Sequence, residues 1–326
     1  MTTICGYELA DVRKSLRTAI DLRNRRAANR WAAELVATPG AVGSLWASYW
    51  LAWADTPTLP ILLRQTWTTI EDAARTHADW VAFRNDPDVR TTVAEMTTRL
   101  LDQPRPTPVV WPTKEITLYD ISVMEGQTVP VAADGPAVMS VWKRGEDAIE
   151  IRILAGRWIT FLETGDTRSA LSIMAWTLMP SPQQPKCAAR GPDLPAKARS
   201  SAIWFWLELG RSVAATGHRG WPTMCAATQH AFQIHWKRWT ATDRMRVLLA
   251  WVLQLRACIA GTKTDWGAAP VTPEDVDLPY KEIAAELGGT APPAPNPLPT
   301  ETTPKSKSEA KMAAADAALM AVLGLE

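Results

Sequence analysis

Residues 25–54 read Arg25-Arg26-Ala27-Ala28-Asn29-Arg30-Trp31-Ala32-Ala33-Glu34-Leu35-Val36-Ala37-Thr38-Pro39-Gly40-Ala41-Val42-Gly43-Ser44-Leu45-Trp46-Ala47-Ser48-Tyr49-Trp50-Leu51-Ala52-Trp53-Ala54. The stretch 25–37 has helical periodicity and stops at Pro39-Gly40, a pair that ends a helix and turns the chain. Beyond the turn, Trp46, Trp50 and Trp53 stand at i, i+4 and i+7, so a helix over 41–55 places all three indoles on one face. Such a stripe has to be buried, either inside its own domain or against another subunit. On the second alternative Trp46, Trp50 and Trp53 anchor a homo-oligomer interface.

Working outward, Leu9, Val12, Leu16, Ala19, Ile20 and Arg23 predict a helix over 8–24, and its short link to the next makes an antiparallel hairpin. Downstream, helices are expected over 60–76 and 87–102, the latter opened by Asp86-Pro87, a capping residue followed by a first-turn residue. Together these make an N-terminal helical domain, 1–103. Residues 104–145 carry Pro104, Pro106, Pro108, Pro112, Pro130 and Pro136 and the β-prone Ile116 to Tyr119, and read as an extended Pro-rich connector. Helical spacing returns at Ile149, Ile153, Trp158 and Phe161, then over 169–179, 197–215, 224–239 and 242–260, a second helical domain spanning 146–268. Residues 269–307 read as a flexible Pro/Thr/Ala-rich linker. In 308–326, Met312, Ala315, Leu319, Val322 and Leu323 form the stripe of a short amphipathic helix, expected to dock on a protein partner. The predicted fold class is all-α: two helical-bundle domains joined by a Pro-rich extended connector, with a disordered C-terminal tail bearing a short terminal helix.

Seventeen Trp against four Phe and four Tyr assign the work of large apolar anchors to Trp. The net charge of +1 hides a segregation, because residues 186–263 hold twelve Lys and Arg against Asp193, Glu208 and Asp243. An acidic partner for that half, or a solvated charged face, accounts for it. Cys5, Cys187, Cys225 and Cys258 have no paired spacing, which argues against a zinc site or a disulfide framework and fits a reducing compartment. No apolar run approaches the roughly 20 residues needed to cross a bilayer, and no charged-then-apolar leader opens the chain. A soluble, cytoplasmic protein without a membrane partner is expected.

The order Tyr7, Lys14-Ser15-Leu16-Arg17, Ala28-x-x-Trp31-x-Ala33 and Gly40 resembles the helical C-terminal region of the clamp-loader-related AAA+ ATPases, meaning replication-associated recombination protein A and the Werner-helicase-interacting proteins. The likeness spans about a third of the chain and implies an oligomerising collar-like module. Two departures stand out. A phosphate loop is missing, since Gly261-Thr262-Lys263-Thr264 lacks the order that cradles phosphates. Leu51-Ala52-Trp53-Ala54-Asp55 stands where the relatives have an acidic Glu-Asp-Ile-Gly element. Tyr119, Asp120 and Gly126 resemble a stretch of stand-alone viral versions of the domain, with Ser122 and Val123 in place of its His and Thr, and this likeness implies a viral or phage-encoded protein.

His230 and His235 are five apart and lack a nearby carboxylate, so with Cys225 they do not have the spacing of metal ligands on one helix face; no metal and no cofactor are expected. No base stands beside a nucleophile in a recognisable motif, and no enzyme activity is expected. The binding candidate is Trp236, Lys237, Arg238 and Trp239 with Arg244 and Arg246 downstream: cations offset phosphate charge while indoles stack on unpaired bases. The same spacing also fits Trp236 and Trp239 facing a core while Lys237 and Arg238 face water. The expected function is a non-catalytic oligomerising helical module in DNA replication or repair that scaffolds partners and binds DNA. The alternative is a structural or assembly adaptor with no nucleic-acid role.

Overall fold

A computed structural model describes residues 1–54, 60–77, 79–103, 135–178, 185–190, 194, 196–217, 221–259 and 270–288. In chain order the helices are α1 (Leu9–Asp21), α2 (Arg25–Ala37), α3 (Val42–Ala54), α4 (Pro60–Thr76), α5 (Trp80–Asn85), α6 (Pro87–Asp102), α7 (Ile149–Thr164), α8 (Thr167–Leu178), α9 (Ala202–Gly217), α10 (Trp221–His235), α11 (Ala241–Ile259) and α12 (Pro273–Gly288). Single helical turns cover Pro136–Met139 and Ala196–Arg199. Among the described residues there is no strand, only isolated bridges between Thr2 and Glu8 and between Arg144 and Asp147. The fold is all-α, as the periodicity predicts.

The chain forms two compact units. The first joins the described residues 1–103 to 270–288, and the second is built from 135–259. The second unit is thus inserted into the first, and the helices of the first come from both sides of it.

In the first unit, Val12, Leu16, Ala19 and Ile20 form the buried face of α1. The α1–α2 hairpin turns through Arg23, held at φ 54, and Asn24, whose side chain accepts from the Ala27 N–H at 3.1 Å to cap α2. Gly40, at φ 77, makes the turn into α3 in the left-handed region that glycine occupies without a steric penalty. Asp86 caps α6, accepting from the N–H groups of Asp88 (2.7 Å) and Val89 (3.2 Å), with Pro87 as first residue. The Tyr49 hydroxyl bridges α3 to Thr97 of α6 at 2.6 Å.

In the second unit, Trp158, Trp204, Trp206 and Trp251 are each less than 2% exposed. Trp158 lies 5.4 Å from Trp206 and stacks on Trp251 at 6.0 Å, and the Trp206 indole donates to Thr177 Oγ1 at 2.7 Å. A Cβ on Gly210 would fall 2.2 Å from the Trp251 ring, so α9 and α11 approach closely because that residue has no side chain.

Two boundary expectations change. Residues 135–145, expected in the connector, belong to the second unit: Val138 is fully buried and Arg190 donates to the Val141 carbonyl at 3.0 Å. Residues 273–288, expected within a linker, form α12. Its start is a reciprocal cap in which Thr272 N–H donates to Asp275 Oδ2 (2.9 Å) and Asp275 N–H to Thr272 Oγ1 (3.2 Å), with Pro273 as first residue. Pro279 lies inside this helix and removes one internal hydrogen bond. The rest of the expected connector (104–134), the linker from 289 and the terminal helix 308–326 lie outside the described residues.

Candidate functional site

The polar chemistry of the first unit converges where α12 packs on α2 and α6. Helical spacing places Arg26 and Arg30 one turn apart on α2, with Arg25 and Asn29 beside them, and α12 brings Asp275, Glu282 and Glu286 to meet them. Arg25 reaches Asp275 at 3.3 Å and Asn29 donates to the other oxygen of that carboxylate at 3.1 Å. Arg26 pairs with Glu282 at 2.6 Å. Arg30 pairs with Glu286 and lies 3.9 Å from Glu282. Arg90 of α6 reaches Asp277 at 3.7 Å and lies over the Tyr280 ring at 4.2 Å.

Arg30 is the centre of this array. It is 8% exposed and pairs at 2.9 Å with Glu34, which is fully buried. The Glu34 carboxylate also accepts the Cys5 N–H at 3.0 Å, and Thr38 Oγ1 accepts the Ile4 N–H at 3.0 Å, so the N-terminal residues close over this end of α2. Burial pushes Glu34 upward, but hydrogen bonds from the Thr3 hydroxyl, Cys5 and Arg30 outweigh it and hold the carboxyl below its usual range. Burial, with hydrogen bonding to Glu286 and Glu34, pushes the Cys5 thiol well up. Cys5 is therefore a protonated thiol beside two carboxylates and lacks the character of a nucleophile.

Ligand atoms of Cys5, Glu34 and Glu286 lie within 4.8 Å of one another, the one such group among the described residues. The Arg30 guanidinium already bonds both carboxylates and approaches Cys5 Sγ at 3.7 Å, so it supplies the positive charge that a metal would bring. What this arrangement can do chemically is hold a carboxylate-bearing helix in a fixed register. Cys225, His230 and His235 do not converge on one another as ligands.

A second polar cluster braces the other unit. Asp147 and Arg190, 5% and 4% exposed, pair through two contacts of 2.9 and 2.6 Å, and Arg190 also reaches Glu208 at 2.8 Å. Burial raises Asp147, and hydrogen bonds from Arg190 and the N–H groups of Ala188 and Lys143 more than reverse this. Every charge here is matched, which ties residues 185–190 to 135–148.

The residues singled out in the sequence fall differently. Trp46, Trp50 and Trp53 are 1%, 3% and 0% exposed within the single chain, packed against Tyr49, Trp67 and one another. They are core anchors and do not present an interface, because α1, α2, α4 and α6 all pack around α3. Trp239 is buried against Phe232 and His235, each 5.3 Å away, and Trp236 stacks on Trp204 at 5.4 Å. Arg244, itself buried, lies over Trp236 at 4.4 Å and donates to the carbonyls of Trp236 (2.9 Å) and Trp239 (3.1 Å). Trp239 and Arg244 are thus withdrawn from any nucleic acid, since the turn after α10 uses them to close its own carbonyls and core. Lys237 and Arg238 are exposed and Arg246 is half-buried.

Sequence reasoning missed Arg30, Glu34, Asp275, Glu282 and Glu286. The Arg30–Glu34 spacing and the Thr272-x-x-Asp275 cap were available as signals. Comparison of the chain with family models, curated proteins and solved structures finds no match. Among the described residues no helix is long and apolar enough to cross a membrane.

Proposed function

We propose that this protein is a non-catalytic helical scaffold that works by holding other proteins, and that it assembles as an oligomer beside the DNA replication or repair apparatus. The observation that carries the scaffold reading is the arginine array of α2 and α6, whose chemistry is charge-matched recognition of a helix. The setting in replication or repair rests on the resemblance of residues 7–40 to the clamp-loader-related helical region. Burial of Trp46, Trp50 and Trp53 moves self-association to some other surface. Light scattering at micromolar concentration tests the assembly: a mass above 35.9 kDa supports it, and a monomer overturns it.

A second reading, DNA binding by the basic half, is favoured by the exposure of Lys237 and Arg238. It needs phosphate contacts more than stacking, because Trp239 is enclosed. Titration with single-stranded DNA at two salt concentrations decides it: affinity must fall steeply with salt. No retention at low salt reduces the cluster to a solvated face and leaves the adaptor with no nucleic-acid role.

A further inference from the structure

The arginine face of α2 is organised independently of the helix that sits on it. Arg30 is held by Glu34, and Arg25 also reaches Asp102 at 3.4 Å. Arg90 donates to the Arg84 carbonyl at 2.9 Å and to Asn85 Oδ1 at 2.6 Å. Arg25, Arg30 and Arg90 thus keep a partner within α1–α6 when α12 is removed, whereas the exposed Arg26 is paired with Glu282 of α12. A surface whose donors are already fixed binds without the cost of ordering them.

The resident helix, by contrast, is lightly held. Of its 16 residues only Pro279, Tyr280 and Ile283 are buried, and Leu287 is 47% exposed. Val276 and Leu278 are half-buried, and the rest of its grip is ion pairs: those made by Arg25, Arg26 and Arg90 have an exposed or half-buried member and weaken with salt, whereas the Arg30–Glu286 pair is mostly buried. Pro279 lowers its own helical stability. The Tyr280 hydroxyl is buried with no hydrogen-bond partner among the described residues, so the fit at the central anchor is imperfect. Finally, α12 is separated from α1–α6 along the chain by all the residues of the second unit, so it joins α2 much as a separate peptide would.

We propose that the face formed by Arg25, Arg26, Arg30 and Arg90 is a docking surface for an acidic amphipathic helix of a partner protein, and that α12 is an internal occupant which the partner displaces. The ligand chemistry is read from the occupant: carboxylates placed as in Asp275, Asp277, Glu282 and Glu286, around two apolar anchors at the positions of Tyr280 and Ile283. An anchor without the hydroxyl, such as Phe, suits the Tyr280 position better. This rests on the scaffold reading and supplies the kind of partner it holds.

The test uses the full chain and a fluorescein-labelled peptide with the sequence of residues 270–288. Wild-type protein, its face occupied, is expected to bind the peptide at least tenfold more weakly than the Glu282→Lys/Glu286→Lys variant, whose own helix is repelled. Binding to the variant should weaken from 50 to 300 mM NaCl, should tighten for a peptide carrying Tyr280→Phe, and should fall severalfold when Arg26→Gln is added. Circular dichroism verifies that each variant remains helical; if the double Lys variant unfolds, Glu282→Gln/Glu286→Gln takes its place with the same expected order. Equal binding to wild type and variant, no binding by a folded variant, or equal binding of a scrambled peptide overturns the proposal. Preference of the variant for a single-stranded oligonucleotide over the peptide also overturns it, by assigning the face to phosphate. The mass measurement above is independent of all these outcomes, so the scaffold's assembly and its docking face fail separately.

Discussion

Helices α3 and α12 belong to the same unit and are held in opposite ways. In α3, 11 of 13 residues are buried, among them Trp46, Tyr49, Trp50 and Trp53, and the Tyr49 hydroxyl adds a polar bridge to Thr97. In α12, 3 of 16 are buried, and its register is set by Asp275, Asp277, Glu282 and Glu286 against arginines. Apolar area removed from water stabilises without regard to direction, whereas an ion pair at a rim contributes little energy but favours one register. The first helix therefore maintains the unit, and the second is suited to exchange. The indoles that stand out in the sequence are structural, and the inconspicuous arginines and carboxylates form the recognising surface.

The sharpest test of that contrast is Trp53→Ala, which removes a fully buried indole and is expected to destabilise the first unit by about 3–5 kcal/mol. Urea unfolding followed by Trp fluorescence measures it; a loss under 1 kcal/mol would mean that α3 is not the core element. Next comes Arg30→Ala. It leaves Glu34 buried without its counter-charge, and a cost of about 3 kcal/mol is expected. Adding Glu34→Gln should recover part of this, since the uncompensated charge is then gone; no recovery would mean that Arg30 acts through packing alone.

Acid gives an intermediate effect. Because the folded Glu34 carboxyl titrates below its unfolded value of about 4.3, its contribution is present above that pH and is lost as pH falls through the lower folded value. The urea midpoint should thus be level near neutrality and drop on the acid side of the ordinary carboxylate range, with the Arg30→Ala/Glu34→Gln protein dropping less. An equal drop in both proteins would assign the acid sensitivity to other carboxylates.

Glu286→Gln should cost about 1–2 kcal/mol in global stability, because a mostly buried charge-assisted hydrogen bond is weakened while Arg30 keeps Glu34 as its counter-charge. Hydrogen exchange should nevertheless speed up selectively over 273–288, as expected of an element that opens locally. Uniform protection across α3 and α12 in the wild-type protein would erase the distinction between them. Smallest of all, Lys237→Gln/Arg238→Gln should change stability by less than about 0.5 kcal/mol, since both side chains face water. Thermal unfolding checks this.

Much of the local structure was readable from the chain. Pro39-Gly40 ends the α2 segment, Asp86-Pro87 opens α6, and the Trp spacing places three indoles on one face of α3, because caps, turns and helical period depend on residues within a few positions of each other. The same information exists for α12 in Thr272-x-x-Asp275, but the interior Pro279 and the Pro-rich stretch beyond obscure it. Even so, nothing local says which surface an apolar stripe meets. Whether Trp50 faces a second subunit or the interior of its own unit is decided by how the helices assemble, and so is the enclosure of Trp239 by Phe232 and His235.

The sequence by itself determined that this is an all-helical chain, where most of its helices begin and end, and that Trp serves as its main large anchor. Only the tertiary structure decided that α12 belongs to the unit built from residues 1–103, and that Arg30 meets Glu286 across 256 positions of chain. The physical reason is one of range. Helical period and capping are short-range backbone effects written residue by residue, while a charge finds its partner through the packing of whole helices, which no spacing along the chain encodes.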